Sequence, residues 1–345
     1  MDQFARRSEA DKQAYFELAA DRKGLSKQII EKDFWVCWTL KQLFNLADIG
    51  QHLIFKGGTS LSKAYNVIER FSEDIDISID KVYLGYSHDR DPETAPSSKK
   101  QQALIKELSS ACRKFVGSKL INHLNQSITR SLKSIDAPWR LELDSADKDG
   151  QSILFYYPTQ QQNIYSSYVQ PTVKIELGAR GAGNPTNICS ITPFVEELIP
   201  GTLTERDTQI KTLAAERTFW EKATILHMYA HWPDDKTLPV RQSRHYFDFY
   251  KLLQSSVKGI ATSNPELLAH VSRHKKIYFR AGWVNYDTAT KGTLLLSPNK
   301  QTLKLLEDDY DKMQPMFYGD VVKWNNIIQK ITRFEDEYNS DREIV

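Results

Sequence analysis

One stretch constrains the fold more than any other. From Phe71 to Asp80 the chain reads Phe-Ser-Glu-Asp-Ile-Asp-Ile-Ser-Ile-Asp, with polar and isoleucine positions alternating from Asp74 onward. A period of two marks a strand with one wet face. Asp74, Asp76, Ser78 and Asp80 then share a face, and Ile75, Ile77 and Ile79 turn to a core. Asp74 and Asp76 stand side by side, about 7 Å apart along the strand at ~3.3 Å per residue. Carboxylates so spaced can share two oxygen-seeking cations, and a two-metal site holds its ions ~3.5–4 Å apart. The same pattern also suits a solvent-facing edge strand whose charges discourage aggregation.

What comes before separates the two readings. The run His52-Leu53-Ile54-Phe55 is a short apolar strand ending in Lys56-Gly57-Gly58-Thr59-Ser60, after which Leu61, Tyr65 and Ile68 recur at helical spacing. Glycines between a strand and a helix let backbone N–H groups approach a phosphate, and the helix adds its unsatisfied N–H groups. Thr59 and Ser60 add hydroxyls, and Lys63 follows one turn later. Strand, glycine loop, helix and Asp-x-Asp strand together describe a site for a metal-bound nucleotide. A third carboxylate would complete it. Glu176 qualifies through the alternating run Thr172-Val173-Lys174-Ile175-Glu176-Leu177, although an exposed strand residue paired with Lys174 has the same pattern; Asp144, after Leu141-Glu142-Leu143, is the rival.

The rest of the chain sets the plan. An opening helix is expected over 27–44, a loop over 87–98, and a basic helical region over 99–133. Strands are expected at 140–143, 152–157 and 172–177, with a glycine-rich loop over 178–185. A boundary near Pro200-Gly201 divides an N-terminal domain, 1–200, from a helical one, 201–345, with helices at 212–231, 243–253, 265–270, 300–311 and 320–339. The expected fold class is α/β, in the α+β sense: a small mixed sheet flanked by helices, and a mostly helical C-terminal half closing the nucleotide site. His227 and His231 are four apart on a helix, but without an HExxH motif or a zinc-spaced cysteine or acid they read as an exposed or hydrogen-bonded pair.

Composition bears on partners. With 46 basic and 44 acidic residues the net charge is +2, so nucleic-acid binding has to rest on a local patch. Lys99, Lys100, Lys106, Arg113, Lys114, Lys119, Arg130, Lys133 and Arg140 form one, opposed only by Glu107 and Asp136; a solvated helix face reads the same way. Cys37, Cys112 and Cys189 are widely spaced and read as free thiols. No apolar run approaches the ~18 residues of a membrane span, and the N-terminus lacks a signal-peptide pattern, so a cytoplasmic location is expected.

The motifs Lys56-Gly57-Gly58-Thr59-Ser60-Leu61, Tyr65 and Arg70-Phe71-Ser72-Glu73-Asp74-Ile75-Asp76 resemble the signature of the AbiEii/AbiGii-type (MenT-like) nucleotidyltransferase toxins, in the DNA polymerase β-like superfamily. Softer matches are Glu31-Lys32-Asp33-Phe34-Trp35, Ile175-Glu176-Leu177-Gly178-Ala179-Arg180, Glu216-Arg217-Thr218-Phe219-Trp220-Glu221-Lys222 and Arg244-His245-Tyr246-Phe247-Asp248. The resemblance implies transfer of NMP from an NTP to an acceptor hydroxyl, an RNA 3′ end and tRNA above all, in a bacterial toxin–antitoxin or phage-defence system. It implies two Mg²⁺ ions on Asp74, Asp76 and Glu176, and a phosphate loop over Gly57, Gly58, Thr59 and Ser60. Lys222 would then contact the nucleotide phosphates, Asp248 would shape the pocket, and a cognate antitoxin is an expected partner. Two departures stand out: Gly58-Thr59 replaces the superfamily's usual Gly-Ser, and the third acid is Glu instead of Asp. Without the resemblance, Lys222 and Asp248 read as a solvated helix position and an i+4 partner of Arg244. A protein or small-molecule acceptor, or a non-catalytic nucleotide or RNA binder, are the other readings.

Overall fold

Two helices, α1 (Asp2–Ala5) and α2 (Glu9–Lys23), precede the expected opening helix, which forms as α3 (Lys27–Phe44). The Ser26 hydroxyl caps α3 by accepting the Ile29 N–H at 3.4 Å. Trp35 stacks on Tyr157 at 5.5 Å and Trp38 on Phe155 at 5.7 Å, which fastens α3 over the sheet. This is a computed structural model, and it describes residues 1–133, 135, 137–159, 170–181, 183–319 and 321–340. Asp136 of the basic stretch, Ala182 of the glycine-rich loop and Asp320 of the last expected helix lie outside the described residues.

The chain divides into two compact units, Met1–Ala64 with Phe71–Leu213, and Tyr65–Arg70 with Ala214–Val345. After α3 the first unit continues with β1 (Leu53–Lys56), α4 (Gly57–Lys63), β2 (Ile75–Ile79), α5 (Ser98–Phe115) and, after a π-helical turn, α6 (Ile121–Ser131). It ends with β3 (Arg140–Leu143), β4 (Ser152–Tyr156), β5 (Thr172–Gly178), β6 (Thr186–Ile191), α7 (Phe194–Leu198) and β7 (Thr208–Leu213). The strands form one mixed sheet in the order β3-β4-β5-β2-β1-β7-β6, with β2/β5 and β1/β7 parallel and the other pairs antiparallel. The expected α/β class is therefore the observed one. The isoleucines of β2 are 0–1% exposed, so this central strand turns Ile75, Ile77 and Ile79 into the core as its alternation requires.

The second unit is helical: α8 (Ala215–Ala230), α9 (Ser243–Gln254), α10 (Val257–Thr262), α11 (Pro265–Tyr278), α12 (Lys300–Lys312) and α13 (Trp324–Ser340). Its core is aromatic, with Phe219 4.8 Å from Phe249 and 5.7 Å from Phe334.

Two expectations are corrected. The helix after the glycine pair stops at Lys63, because Asn66 takes a left-handed φ of 52°. Arg70 instead bridges to Phe317 within the second unit, so Tyr65 and Ile68 are not part of that helix. The helix expected from residue 212 starts at Ala215, because 208–213 is spent as strand β7 between β1 and β6. Among the described residues no helix is long and apolar enough to cross a membrane, and all three cysteines are free.

Candidate active site

The sheet register assembles the site in the first unit. Lys56 on β1 lies opposite Asp76 on β2, Asp76 lies beside Glu176 on β5, and Glu176 lies opposite Ser152 on β4. Partners across neighbouring strands share a face, so Lys56, Asp76 and Glu176 form one row across three strands. Asp74 sits one step before β2 on the same face as Asp76. Asp144 closes β3, two strands further from β2 than Glu176 is. Asp80 lies past the end of β2, exposed, where its carboxylate accepts the Val82 N–H at 2.9 Å.

Gly57 shows why glycine stands beside these acids. Its φ of 79° is left-handed, and a Cβ added there would lie 2.7 Å from the Asp76 carboxyl carbon, inside van der Waals contact. The space a side chain would fill is occupied by the carboxylate, so the loop and the Asp-x-Asp strand are fitted to each other. Gly58 follows, buried, as the second residue of α4.

The neighbouring hydroxyls are used differently from the sequence expectation. Thr59, 1% exposed, donates to the Asp74 carbonyl at 2.5 Å with the Ser72 hydroxyl 2.9 Å away, and Ser60 donates to the Gly57 carbonyl at 2.8 Å. These bonds tie the loop to the carboxylate strand, and what the loop presents is backbone. Lys63 is buried as well: Asp33 holds its amine at 2.9 Å, with Glu197 at 3.5 Å and the Phe194 ring 3.8 Å below. Glu176 is half-exposed and receives Lys174 at 2.8 Å, and the same Lys174 reaches Asp144 at 3.3 Å. The sequence gives no role to Lys32 of the 31–35 stretch, whose amine reaches Glu73, the residue before Asp74, at 2.5 Å. A lysine inside an apolar helix, 41 residues before its partner, gives no sign of that pairing.

Electrostatics favour a cation here. Burial, with Glu73, Glu176 and Asp76 close by, raises the Asp74 carboxyl to about 6 against a partial counterweight from Lys32. Among the described residues no three His, Cys, Asp or Glu side chains are gathered into a ready-made cage. Magnesium does not need one, since it takes one or two carboxylates and completes its shell with water and substrate phosphates. Two neighbouring carboxylates, both oxygen donors beside a backbone-lined loop, fit that demand.

Lys222 and Asp248 lie in the second unit, where the structure brings them together. Asp248, 0% exposed, binds Lys222 at 2.7 Å and Arg70 through two bonds of 2.7 and 2.8 Å. Burial pushes the Asp248 carboxyl up, but Arg70 and Lys222 outweigh it and hold it far below the usual carboxylate range. Lys222 also donates to His245 Nδ1 at 3.1 Å. Neither residue is on a solvated face. His227 is fully buried, its Nδ1 accepting the Leu295 N–H at 3.1 Å, while His231 Nδ1 lies 2.8 Å from the His227 carbonyl, so the pair is hydrogen-bonded.

The basic residues of α5 and α6 point outward. Lys99, Lys100, Lys106, Arg113, Lys114, Lys119, Arg130 and Lys133 are exposed, as is Arg140 on the edge strand β3. Leu104, Leu108, Cys112, Leu120, Leu124 and Ile128 fill the opposite face. Arg113 is partly engaged, donating to the Asp149 carbonyl at 2.6 Å, and Glu107 is answered by Arg90 at 3.4 Å.

A family model described as nucleotidyl transferase AbiEii toxin, type IV toxin–antitoxin system, matches residues 38–334. Among solved structures the chain is similar to MenT4, a nucleotidyltransferase toxin from Mycobacterium tuberculosis H37Rv, at 16% identity and a TM-score of 0.44 over 94% of this chain and 97% of that one. It is similar also to JHP933 from Helicobacter pylori, at 13% identity and a TM-score of 0.45 over 92% and 94%. Comparison with curated proteins gives no match. The family match spans most of the 345 residues and contains the carboxylates, the glycine pair and the Lys222–Asp248 cluster, so the chain belongs to the AbiEii family of nucleotidyltransferase toxins and is an enzyme of nucleotidyl transfer.

Proposed function

We propose that this enzyme transfers NMP from an NTP to a hydroxyl at an RNA 3′ end, with tRNA as the acceptor, as the toxin of a bacterial toxin–antitoxin or phage-defence system. The observation that carries the reading is the Lys56–Asp76–Glu176 row with Gly57 fitted against the Asp76 carboxylate. Asp74 and Asp76, with Glu176, would hold two Mg²⁺ ions, which when bound stabilise the charge on the attacking and leaving oxygens. The acceptor oxygen bonds to the α-phosphorus, its proton passes to Glu176, and the bond to the bridging oxygen breaks to release pyrophosphate. The backbone of Gly57 and Gly58 lies against the triphosphate, and Lys56, next to the loop and in the carboxylate row, offers it a positive charge. Lys63, held by Asp33, serves to anchor α4 and leaves the phosphates to other groups. Lys222 and Asp248 enter as nucleotide contacts through the family resemblance, supported by the buried ion-pair cluster that fixes their side chains.

The exposed basic face of α5 and α6 supports RNA as acceptor, because it offers a phosphate backbone a row of cations on a chain of nearly zero net charge. In this reading the toxin works in the cytoplasm and is controlled by a cognate antitoxin. The test is purified protein with total tRNA, Mg²⁺ and each α-³²P-labelled NTP in turn. Label entering tRNA with one NTP supports the reading and names the nucleotide. Label entering only protein or small hydroxylated acceptors replaces the acceptor, and no label anywhere favours a non-catalytic binder.

A further inference from the structure

α3 is buried almost all round, yet three charged residues in succession sit inside it. Glu31, Lys32 and Asp33 are 2%, 3% and 3% exposed, between Ile30 and Phe34, which are 0% exposed. Lys32 and Asp33 project in directions about 100° apart, as successive helix residues must, and each meets a different part of the active site. The Lys32 amine reaches Glu73 at 2.5 Å, immediately before Asp74 at the entry to β2. The Asp33 carboxylate takes the Lys63 amine at 2.9 Å on one oxygen and the Phe194 N–H at 2.6 Å on the other. Lys63 is the last residue of α4, the helix that begins at Gly57. The Thr59–Asp74 hydrogen bond joins the two sides.

Stability alone does not explain this arrangement. A buried ion pair repays its desolvation only with good geometry, and packed apolar residues often do as well or better in its place. What two ion pairs give and apolar contacts do not is direction: a fixed point for one atom on each partner. We propose that Lys32 and Asp33 are positioning residues, a two-armed brace on α3. Lys32 sets the carboxylate strand through Glu73, and Asp33 sets the glycine loop through Lys63. This rests on the reading of Asp74 and Asp76 as metal ligands. The arms separate kinetically: loosening Lys32 acts on the carboxylates and lowers kcat, and loosening Asp33 acts on the loop and raises KM for the NTP.

The sign of one measurement distinguishes bracing from plain electrostatics. Removing the Lys32 charge would by Coulomb attraction alone tighten cation binding nearby, whereas a displaced strand weakens it. Wild type, Lys32→Met, Lys32→Arg and Asp76→Asn are titrated with Mn²⁺ alone, followed by the manganese EPR signal, and their thermal melts recorded. Expected are loss of binding in Asp76→Asn, weakening by about tenfold or more in Lys32→Met, and recovery in Lys32→Arg, which keeps the charged donor, since losing a group that orients metal ligands costs about 10–100-fold in metal affinity. Mn²⁺ binding in folded Lys32→Met as tight as wild type or tighter overturns the brace while leaving the site reading intact. Should Lys32→Met not melt cooperatively, Lys32→Gln, which removes the charge but keeps a hydrogen-bond donor for Glu73, is read by the same criterion. If wild type fails to bind, or Asp76→Asn binds as wild type does, the metal reading falls and the brace with it.

Discussion

Gly57→Ala is the perturbation whose consequences the structure fixes most closely. The new methyl meets two obstacles. The φ of 79° is left-handed, which costs a non-glycine residue roughly 1–2 kcal/mol. Its Cβ also falls 2.7 Å from the Asp76 carboxyl carbon, so the carboxylate has to move. Gly201 separates the two effects: its φ is 89°, in the same unit, but nothing lies within 4 Å of an added Cβ. Gly201→Ala therefore carries the backbone strain alone. Gly201→Ala should lose about 2–8 °C in Tm, taking ~2–4 °C per kcal/mol for a unit of this size, and Gly57→Ala at least as much. Only Gly57→Ala should lose transfer activity, by about 100-fold, the scale on which a 1 Å displacement of a catalytic group acts. The assay is initial-rate transfer of α-³²P-labelled nucleotide alongside thermal melts of both variants. Equal activity in the two would refute the fit between loop and carboxylate, whatever their melting temperatures.

Three further outcomes follow from the charges. The Asp74 carboxyl, raised to about 6, holds its proton in the folded chain at pH values where the unfolded chain has released it. The Asp74 contribution to the stability of metal-free protein therefore falls as pH rises from about 4 to about 6, and Mn²⁺ affinity falls as pH drops through about 6; Asp74→Asn should remove the first contribution in pH-resolved melts. His227 runs the opposite way: burial, then His231, lowers it to about 4, so the unfolded chain binds more protons and stability is lost as pH falls from about 6.5 to about 4. His227→Asn should flatten that limb of the melting profile. Asp248→Asn takes from the buried Arg70 and Lys222 the carboxylate they share, which costs about 3–5 kcal/mol, and a melt within a degree of wild type would contradict the cluster.

The parts of this molecule legible in its sequence are those where local pattern and tertiary environment agree. The isoleucines of β2 are buried as their alternation demands, and α3 runs from Lys27 to Phe44 as its apolar spacing and Ser26 imply. The carboxylate row needed only the period of two on β2 and β5 plus a register that pairs Asp76 with Glu176. What escaped the sequence depends on partners far along the chain. The spacing of Leu61, Tyr65 and Ile68 fits a helix, but Arg70 pairs with Phe317 and Asp248, which no local pattern announces. The hydroxyls of Thr59 and Ser60 and the amine of Lys63 suit a phosphate by type, yet each is bonded to a protein acceptor. β7 is short, with Lys211 between Ile210 and Thr212, and became recognisable only through its pairing with β1 and β6.

The most direct test of nucleotidyl transfer at Asp74 and Asp76 is a paired incubation with total tRNA and Mg²⁺, one arm with α-³²P-labelled and one with γ-³²P-labelled NTP. Attack at the α-phosphorus puts α-label into the acceptor and sends γ-label out as pyrophosphate, and neither should occur with Asp76→Asn. Acceptor labelled from the γ-position would mean phosphoryl transfer, and α-label undiminished by Asp76→Asn would place the chemistry elsewhere; either result contradicts this account.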